Sequence, residues 1–140
     1  MIFIDANIVM YAVGRPHRYK EACARIIVDI SEGKIPAVTD CEILQEILYR
    51  YWYIRELEKG LQVFEDFQNL VPKIFPIGRE DLIESAQILR ENFPVSPRDA
   101  LHVAVMRNNG VNSILSTDTH FDLIPRIKRK DPLTIDDESV

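Results

Sequence analysis

Ile2-Phe3-Ile4-Asp5 opens the chain and Ser113-Ile114-Leu115-Ser116-Thr117-Asp118 lies near its far end, and the reading of these two stretches decides the fold. Each is an apolar run too short for a helix that stops at or near an acid, the pattern of a buried strand that delivers a carboxylate to its carboxyl end. Pro36-Ala37-Val38 reads as another short strand. Lys73-Ile74-Phe75-Pro76-Ile77 reads as one more, confined to a sheet edge or strand end because proline cannot donate to a ladder. A last strand is expected around Leu133.

Helical periods fill the intervals. From Tyr19 to Glu32, Ala22, Ile26, Ile27 and Ile30 share one stripe, and Gly33 stops it. Thr39 or Asp40 caps a helix in which Leu44, Ile47, Leu48 and Tyr51 recur at i, i+3, i+4 and i+7. This helix is expected to run to about Lys59, with Gly60 separating it from a shorter amphipathic piece containing Leu61, Phe64 and Phe67. A helix from about Arg79 to Glu91 turns Leu82, Ile83, Ala86 and Leu89 inward, and Ser96-Pro97 opens another that Asn109-Gly110 ends. Short strands alternating with helices, and no hairpin signal, predict an α/β fold: a central, mostly parallel sheet flanked by helices in three layers.

The 140 residues, 46% hydrophobic and 28% charged, fit one soluble domain over residues 1–140 with a sizeable core of its own. A net charge of −5 argues against a protein that coats nucleic acid by bulk charge. Four acids, Asp131, Asp136, Asp137 and Glu138, fall in the last ten residues, where no basic residue occurs, so the acidity is mostly a tail over about 131–140. Cys23 and Cys41 are too isolated for a disulfide framework or a zinc site, which points to a reducing compartment. No apolar run approaches the roughly 20 residues that span a bilayer, so the expectation is a cytoplasmic protein without a membrane partner.

Asp5 and Asp118 follow strands at the edge where open α/β sheets bind ligands, although an acid there equally reads as a turn residue or helix cap. Asp99 in Ser96-Pro97-Arg98-Asp99 fits the third position of a capping box. Glu42 and Glu46 share a helix face away from the apolar stripe, and spacing does not choose between them. Carboxylates crowded in a cleft repel one another unless a cation compensates, which makes an acid cluster a metal-site candidate. Oxygen donors suit a hard cation such as Mg²⁺, and no thiolate or histidine pair stands at soft-metal spacing.

Four motifs in order now carry a resemblance: Phe3-Ile4-Asp5-Ala6-Asn7, Leu44-Gln45-Glu46-Ile47-Leu48, Pro97-Arg98-Asp99-Ala100-Leu101-His102-Val103-Ala104 and Leu115-Ser116-Thr117-Asp118-Thr119-His120-Phe121. Their order and spacing over residues 1 to about 125 resemble the PIN-domain family, in particular its VapC-like toxin nucleases. The resemblance implies a PIN-like α/β fold and an endoribonuclease dependent on Mg²⁺ or Mn²⁺. It implies RNA as substrate and an antitoxin protein as partner, with RNA processing without an antitoxin as the alternative, and homodimers are common in the family. Asp5, Glu46, Asp99 and Asp118 match its four acidic catalytic and metal-binding positions, and Asn7 and Ser116 match supporting polar ones. Glu46 is preferred to Glu42 by the resemblance alone, and Asp122 stays outside the core set.

Two other classes compete. Phosphoryl transfer through an aspartyl intermediate at Asp5 would use a second acid two residues on, where Asn7 stands. A non-catalytic PIN-like module that binds RNA or protein has no need of four intact acids. For contact with an RNA backbone, Arg126-Ile127-Lys128-Arg129-Lys130 is the one dense basic run, with Arg50, Arg55 and Arg98 as further candidates, although such runs are more often solvated surface. Tyr49, Tyr51, Trp52 and Tyr53 read as a homodimer contact rather than a base-stacking platform, and His102 as a residue that packs or caps locally.

Overall fold

The computed structural model describes residues 1–135, so Asp136, Asp137 and Glu138 of the expected acidic tail lie outside the described residues. Its centre is β1 (Ile2–Ile4), buried at every position. Around it stand β2 (Ala37–Asp40), β3 (Lys73–Phe75), β4 (Ser113–Leu115) and β5 (Lys128–Lys130), in the order β3-β2-β1-β4-β5. Every neighbouring pair is parallel. Six helices connect them: α1 (Ala6–Val13), α2 (Lys20–Ser31), α3 (Cys41–Tyr53), α4 (Leu57–Leu70), α5 (Arg79–Arg90) and α6 (Pro97–Asn108), with a 3₁₀ turn over Thr119–Leu123.

The strand order places the site. From β1 the chain steps outward through β2 to β3, then returns past β1 to β4 and β5. Parallel crossovers are right-handed, so the outward and returning connections lie on opposite faces of the sheet. The helices group accordingly: α1 packs with α2 and α3, α3 with α4, and α5 with α6. The direction of winding reverses between β1 and β4, and at such a switch point the two faces' loops part to leave a crevice at the carboxyl ends of the strands. Asp5 leaves β1 there, and Ser116 and Asp118 leave β4 there.

Local chemistry explains most element boundaries. Asp5, Asp40, Ser96 and Asp118 each accept a backbone N–H at the start of a helix or turn, satisfying donors that have no intrahelical partner. Gly33, at φ 74°, follows the end of α2 in the left-handed region that favours glycine. β3 is an edge strand that ends one residue before Pro76, as proline requires.

Four expectations need correction. The long helix stops at Tyr53, where Arg55 turns at φ 61°, and α4 begins at Leu57 with Gly60 inside it. Gly60 is a site of close approach rather than a separator: a Cβ there would lie 2.3 Å from Tyr51 Cβ, so its absence lets α4 pack on α3. Leu82 and Ile83 point outward, 56% and 61% exposed, because α5 buries Asp81, Ser85 and Ile88 instead. Asp81 tolerates burial by accepting from Gly78 N at 2.9 Å and from Asn108 Nδ2 at 2.8 Å, which ties α5 to α6. Finally, the last strand is Lys128–Lys130 rather than a segment around Leu133. Charged residues suit an edge strand, where they discourage pairing with another chain, and so hide it from an apolar pattern search. α1 has no counterpart in the sequence reading; it follows directly on Asp5, which caps it.

Candidate active site

The register Ile4↔Leu115 sets Asp5 and Ser116 side by side one residue beyond the paired strands. Asp5 is 8% exposed. Its Oδ1 accepts from Ala6 N at 2.8 Å, and its Oδ2 accepts from Ser116 Oγ at 2.6 Å and from Asn7 Nδ2 at 3.2 Å. Asn7 Nδ2 also lies 3.2 Å from Ser116 Oγ, while its Oδ1 accepts from Thr117 N at 3.3 Å. Ser116 Oγ accepts in turn from Asp118 N at 3.0 Å. The two expected supporting residues thus bind the first and last acids into one network.

Asp118 is both a cap and a site candidate, since its Oδ1 accepts from His120 N at 2.9 Å while the side chain remains partly open. Asp99 has the same double placement. Ser96 caps α6 by accepting from Asp99 N at 3.1 Å, and Pro97 occupies the first turn, which sets Asp99 facing the sheet edge. Glu46 comes from α3, its side chain only 13% exposed rather than on a solvated face. Asp5, Asn7, Glu46, Asp99 and Asp118 all line one open cavity of about 880 Å³. Glu42 does not. It faces a separate groove between α5 and α6, so the geometry separates two acids that spacing left equivalent.

Two of the acids, Asp5 and Asp99, carry the electrostatic signature of burial among like charges. Burial pushes the Asp5 carboxyl up to about 6, against the lowering effects of His102, Ser116 and the Ala6 amide, with Glu46 adding repulsion. Burial also raises Asp99, and the neighbouring Asp118 and Glu46 carboxylates add to it. A divalent cation bound by oxygen ligands would relieve these costs, so the donor set fits a hard cation. Among the described residues no three of these side chains converge into a ready-made cage.

Two features escaped the sequence. His102 is completely buried between two carboxylates, with Nδ1 2.8 Å from Asp40 Oδ2 and Nε2 3.3 Å from Glu46 Oε2. Burial opposes charge on the ring, but the hydrogen bond to Asp40 and the negative charges of Asp40 and Glu46 outweigh it and raise its pKa well above the usual imidazole range. The spacing Asp99 to His102, one helical turn, was the available signal. The second feature is part of the basic rim: Arg15 and Lys59 line the acid cavity beside Arg50 and Arg98, which the sequence already offered, whereas Arg55 does not line it. Nor does the Arg126–Lys130 run. Arg129 is folded back, bonded to Asp122 at 2.9 and 3.1 Å, to Asp131 at 3.1 Å and to the Ser116 carbonyl at 3.0 Å. This also accounts for Asp122, which holds Arg129 rather than facing the cavity.

A parallel α/β sheet whose switch point gathers four carboxylates defines an acid-site protein of the open-sheet kind. The model of the PIN domain matches residues 2–127, and the chain belongs to the PIN-domain family. Ribonuclease VapC13 of Mycobacterium tuberculosis is 38% identical over 129 residues, covering 92% of this chain and 98% of that protein. The crystal structure of VapC20 from Mycobacterium tuberculosis, a sarcin-ricin-loop-cleaving toxin, aligns with a TM-score of 0.70 at 15% identity over 85% of this chain and 91% of that one. A toxin–antitoxin complex from Klebsiella pneumoniae aligns at 0.63 and 15% identity, over 94% and 98%. At these identities the structural likeness is one of fold.

Proposed function

We propose that the chain, acting as a single PIN-like domain in the cytoplasm, is an endoribonuclease that hydrolyses RNA phosphodiester bonds with Mg²⁺ or Mn²⁺ and serves as the toxin of a toxin–antitoxin pair. The observation that carries this reading is the arrangement of Asp5, Glu46, Asp99 and Asp118 around one cavity at the switch point, with Asp5 and Asp118 tied through Ser116. The naming of a 38% identical relative as a ribonuclease supports the activity.

In this reading the four acids hold the cation, and Ser116 and Asn7 fix the rotamer of Asp5 so that its carboxylate needs little reorganisation on binding. When bound, the ion supplies activation of a water nucleophile and charge stabilisation at the phosphate. Arg15, Arg50 and Lys59 gather the RNA backbone at the rim. The overall negative charge then matters little, because Arg15, Arg50, Lys59 and Arg98 stand where the substrate enters. The toxin–antitoxin fold relatives support an antitoxin partner. A homodimer is supported by Tyr49, Trp52 and Tyr53 of α3, which are 49%, 60% and 65% exposed, whereas Tyr51, expected in the same contact, is buried against Gly60. Among the described residues no helix is long and apolar enough to cross a membrane.

The test is cleavage of a single-stranded RNA by the purified chain in Mn²⁺, with Asp5→Asn and Asp99→Asn as controls. Loss of cleavage in both folded variants is expected; cleavage at the parent rate in either would overturn the site. Expression alone in a bacterial host should arrest growth, relieved by Asp5→Asn. Normal growth with nuclease activity in the lysate would instead favour an RNA-processing enzyme without an antitoxin.

A further inference from the structure

Glu46 is held from two sides by residues of α6. Its Oε1 lies 3.3 Å from Arg98 Nε, and its Oε2 lies 3.3 Å from His102 Nε2. The two contacts differ in kind. Arg98 is half exposed and shared with Glu42 at 3.8 Å, so its guanidinium can exchange with solvent. His102 is wholly buried, its ring 5.5 Å from that of Phe3 on β1.

The ring has no freedom to turn. Asp40 Oδ1 accepts from Ile43 N at 2.9 Å as the cap of α3, which fixes that carboxylate, and its Oδ2 faces His102 Nδ1 at 2.8 Å. A carboxylate only accepts, so the proton at this contact belongs to Nδ1. Nε2 is thereby aimed at Glu46 Oε2, and these two buried atoms have no other hydrogen-bond partner. At 3.3 Å the two face each other without forming a hydrogen bond, and neither atom has any alternative to the other.

We infer that His102 is a positioning residue: anchored by Asp40, it engages Oε2 of Glu46 and leaves Oε1 as the oxygen that this acid presents to the cavity. The inference rests on the metal-nuclease reading above and deepens it. α6 then governs two acids at once, Asp99 directly and Glu46 through His102 one turn later. Groups that orient a ligand carboxylate from behind typically change metal affinity by about 10- to 100-fold when removed. Arg98 stands on that same Oε1 and, being half exposed, can yield it to a cation; without His102 nothing holds Oε2 back, and the guanidinium is the one partner that remains to orient the carboxylate.

The amide variants divide the two contacts. His102→Asn carries an NH₂ near the position of Nδ1 and retains the Asp40 contact, whereas His102→Gln carries one near Nε2 and retains the contact to Glu46. Mn²⁺ affinity of the RNA-free protein, followed by electron paramagnetic resonance, should weaken by about tenfold in His102→Asn and by less than about threefold in His102→Gln. In a Glu46→Gln background, His102→Asn should cost nothing further. Folded His102→Asn with parent affinity, equal losses in both variants, or additive loss in the Glu46→Gln background would each overturn the inference. Should His102→Asn fail to fold, a folded His102→Gln that binds as weakly as Glu46→Gln overturns it, and near-parent binding supports it. A parent protein that neither binds Mn²⁺ nor cuts RNA, or Glu46→Gln that binds as the parent does, marks failure of the metal-nuclease reading itself and removes the role assigned to His102 with it.

Discussion

Ser116 Oγ donates to Asp5 Oδ2 at 2.6 Å across 111 residues of sequence, and the same hydroxyl accepts from Asp118 N at 3.0 Å. One side chain therefore couples the acid after the first strand to the acid after the fourth. The pairing of Ile4 with Leu115 makes this contact unavoidable once the sheet forms. The site is thus assembled by strand register, and helices α3 and α6 add the remaining acids, Glu46 and Asp99.

Removal of that hydroxyl should be felt at both acids. Ser116→Ala leaves Asp5 Oδ2 with Asn7 alone and deletes an interaction that lowers the Asp5 pKa. Cleavage at neutral pH is expected to fall by about tenfold and the acid limb of the pH–rate profile to move upward, since in the proposed reading it is the ionised carboxylate that holds the metal. Ser116→Thr keeps the hydroxyl and should restore both. An unchanged profile in Ser116→Ala would show that the network has no bearing on ionisation of Asp5.

Asp5 also makes stability depend on pH in an unusual direction. Burial holds its pKa at about 6, above the usual 3.8, so the folded chain binds this proton more tightly than the unfolded chain. The corresponding stability is fully present below the unfolded value and is lost as pH rises through about 6. At about 1.4 kcal/mol per pKa unit, the loss reaches roughly 2 to 3 kcal/mol above pH 7. Asp5→Asn cannot ionise, so in chelator its melting temperature should exceed that of the parent by a few degrees at pH 7.5 and lose the advantage near pH 4.5. Adding Mn²⁺ at pH 7.5 should raise the parent and leave Asp5→Asn unmoved, both read by thermal unfolding.

Glu42 and Glu46 give a sharper comparison because they lie four residues apart on α3. Glu46 lines the acid cavity, while Glu42 faces the α5–α6 groove with its pKa raised by burial and by Glu46. Glu46→Gln should lower kcat by roughly 100-fold, equivalent to about 2.7 kcal/mol of transition-state stabilisation. Glu42→Gln should leave kcat within about threefold of the parent by the same scale, because it removes a repulsive charge from outside the site. Comparable losses in steady-state cleavage assays would return Glu42 to the set of ligand candidates.

What was legible in the sequence follows from what is local. Ile2-Phe3-Ile4-Asp5 reads as a strand with a terminal acid because short apolar runs have few other uses, and Ser96-Pro97 announces α6 because capping chemistry is confined to a few residues. The inward face of α5 was misread: a polar anchor, Asp81 bonded to Asn108, rotates the helix away from its most apolar residues. Gly60 was misread because its neighbour, Tyr51, belongs to another helix. The Asp40–His102–Glu46 chain depends on contacts over 62 residues that no spacing rule reports. Long-range polar contacts are where a sequence pattern carries least information, and the candidate site consists largely of them.

Arg129 offers the clearest test of where RNA is gripped. Its guanidinium meets Asp122 through two parallel bonds and reaches the Ser116 carbonyl and Asp131 with Nη1, so it latches β5 to the loop bearing Ser116 and Asp118. A fork with this geometry is poorly replaced by an ammonium. Arg129→Lys should lower stability by about 1 to 3 kcal/mol, seen as a reduced denaturation midpoint, and should reduce cleavage by loosening Ser116. It should leave the salt dependence of RNA affinity unchanged, because Arg129 meets no phosphate. Lys59→Gln and Arg50→Gln, on the cavity rim, should do the opposite: each leaves stability nearly unchanged while reducing the slope of log affinity against log salt by about one. A reduced slope in Arg129→Lys with rim variants unaffected would move the RNA track from the cavity rim to the β5 edge.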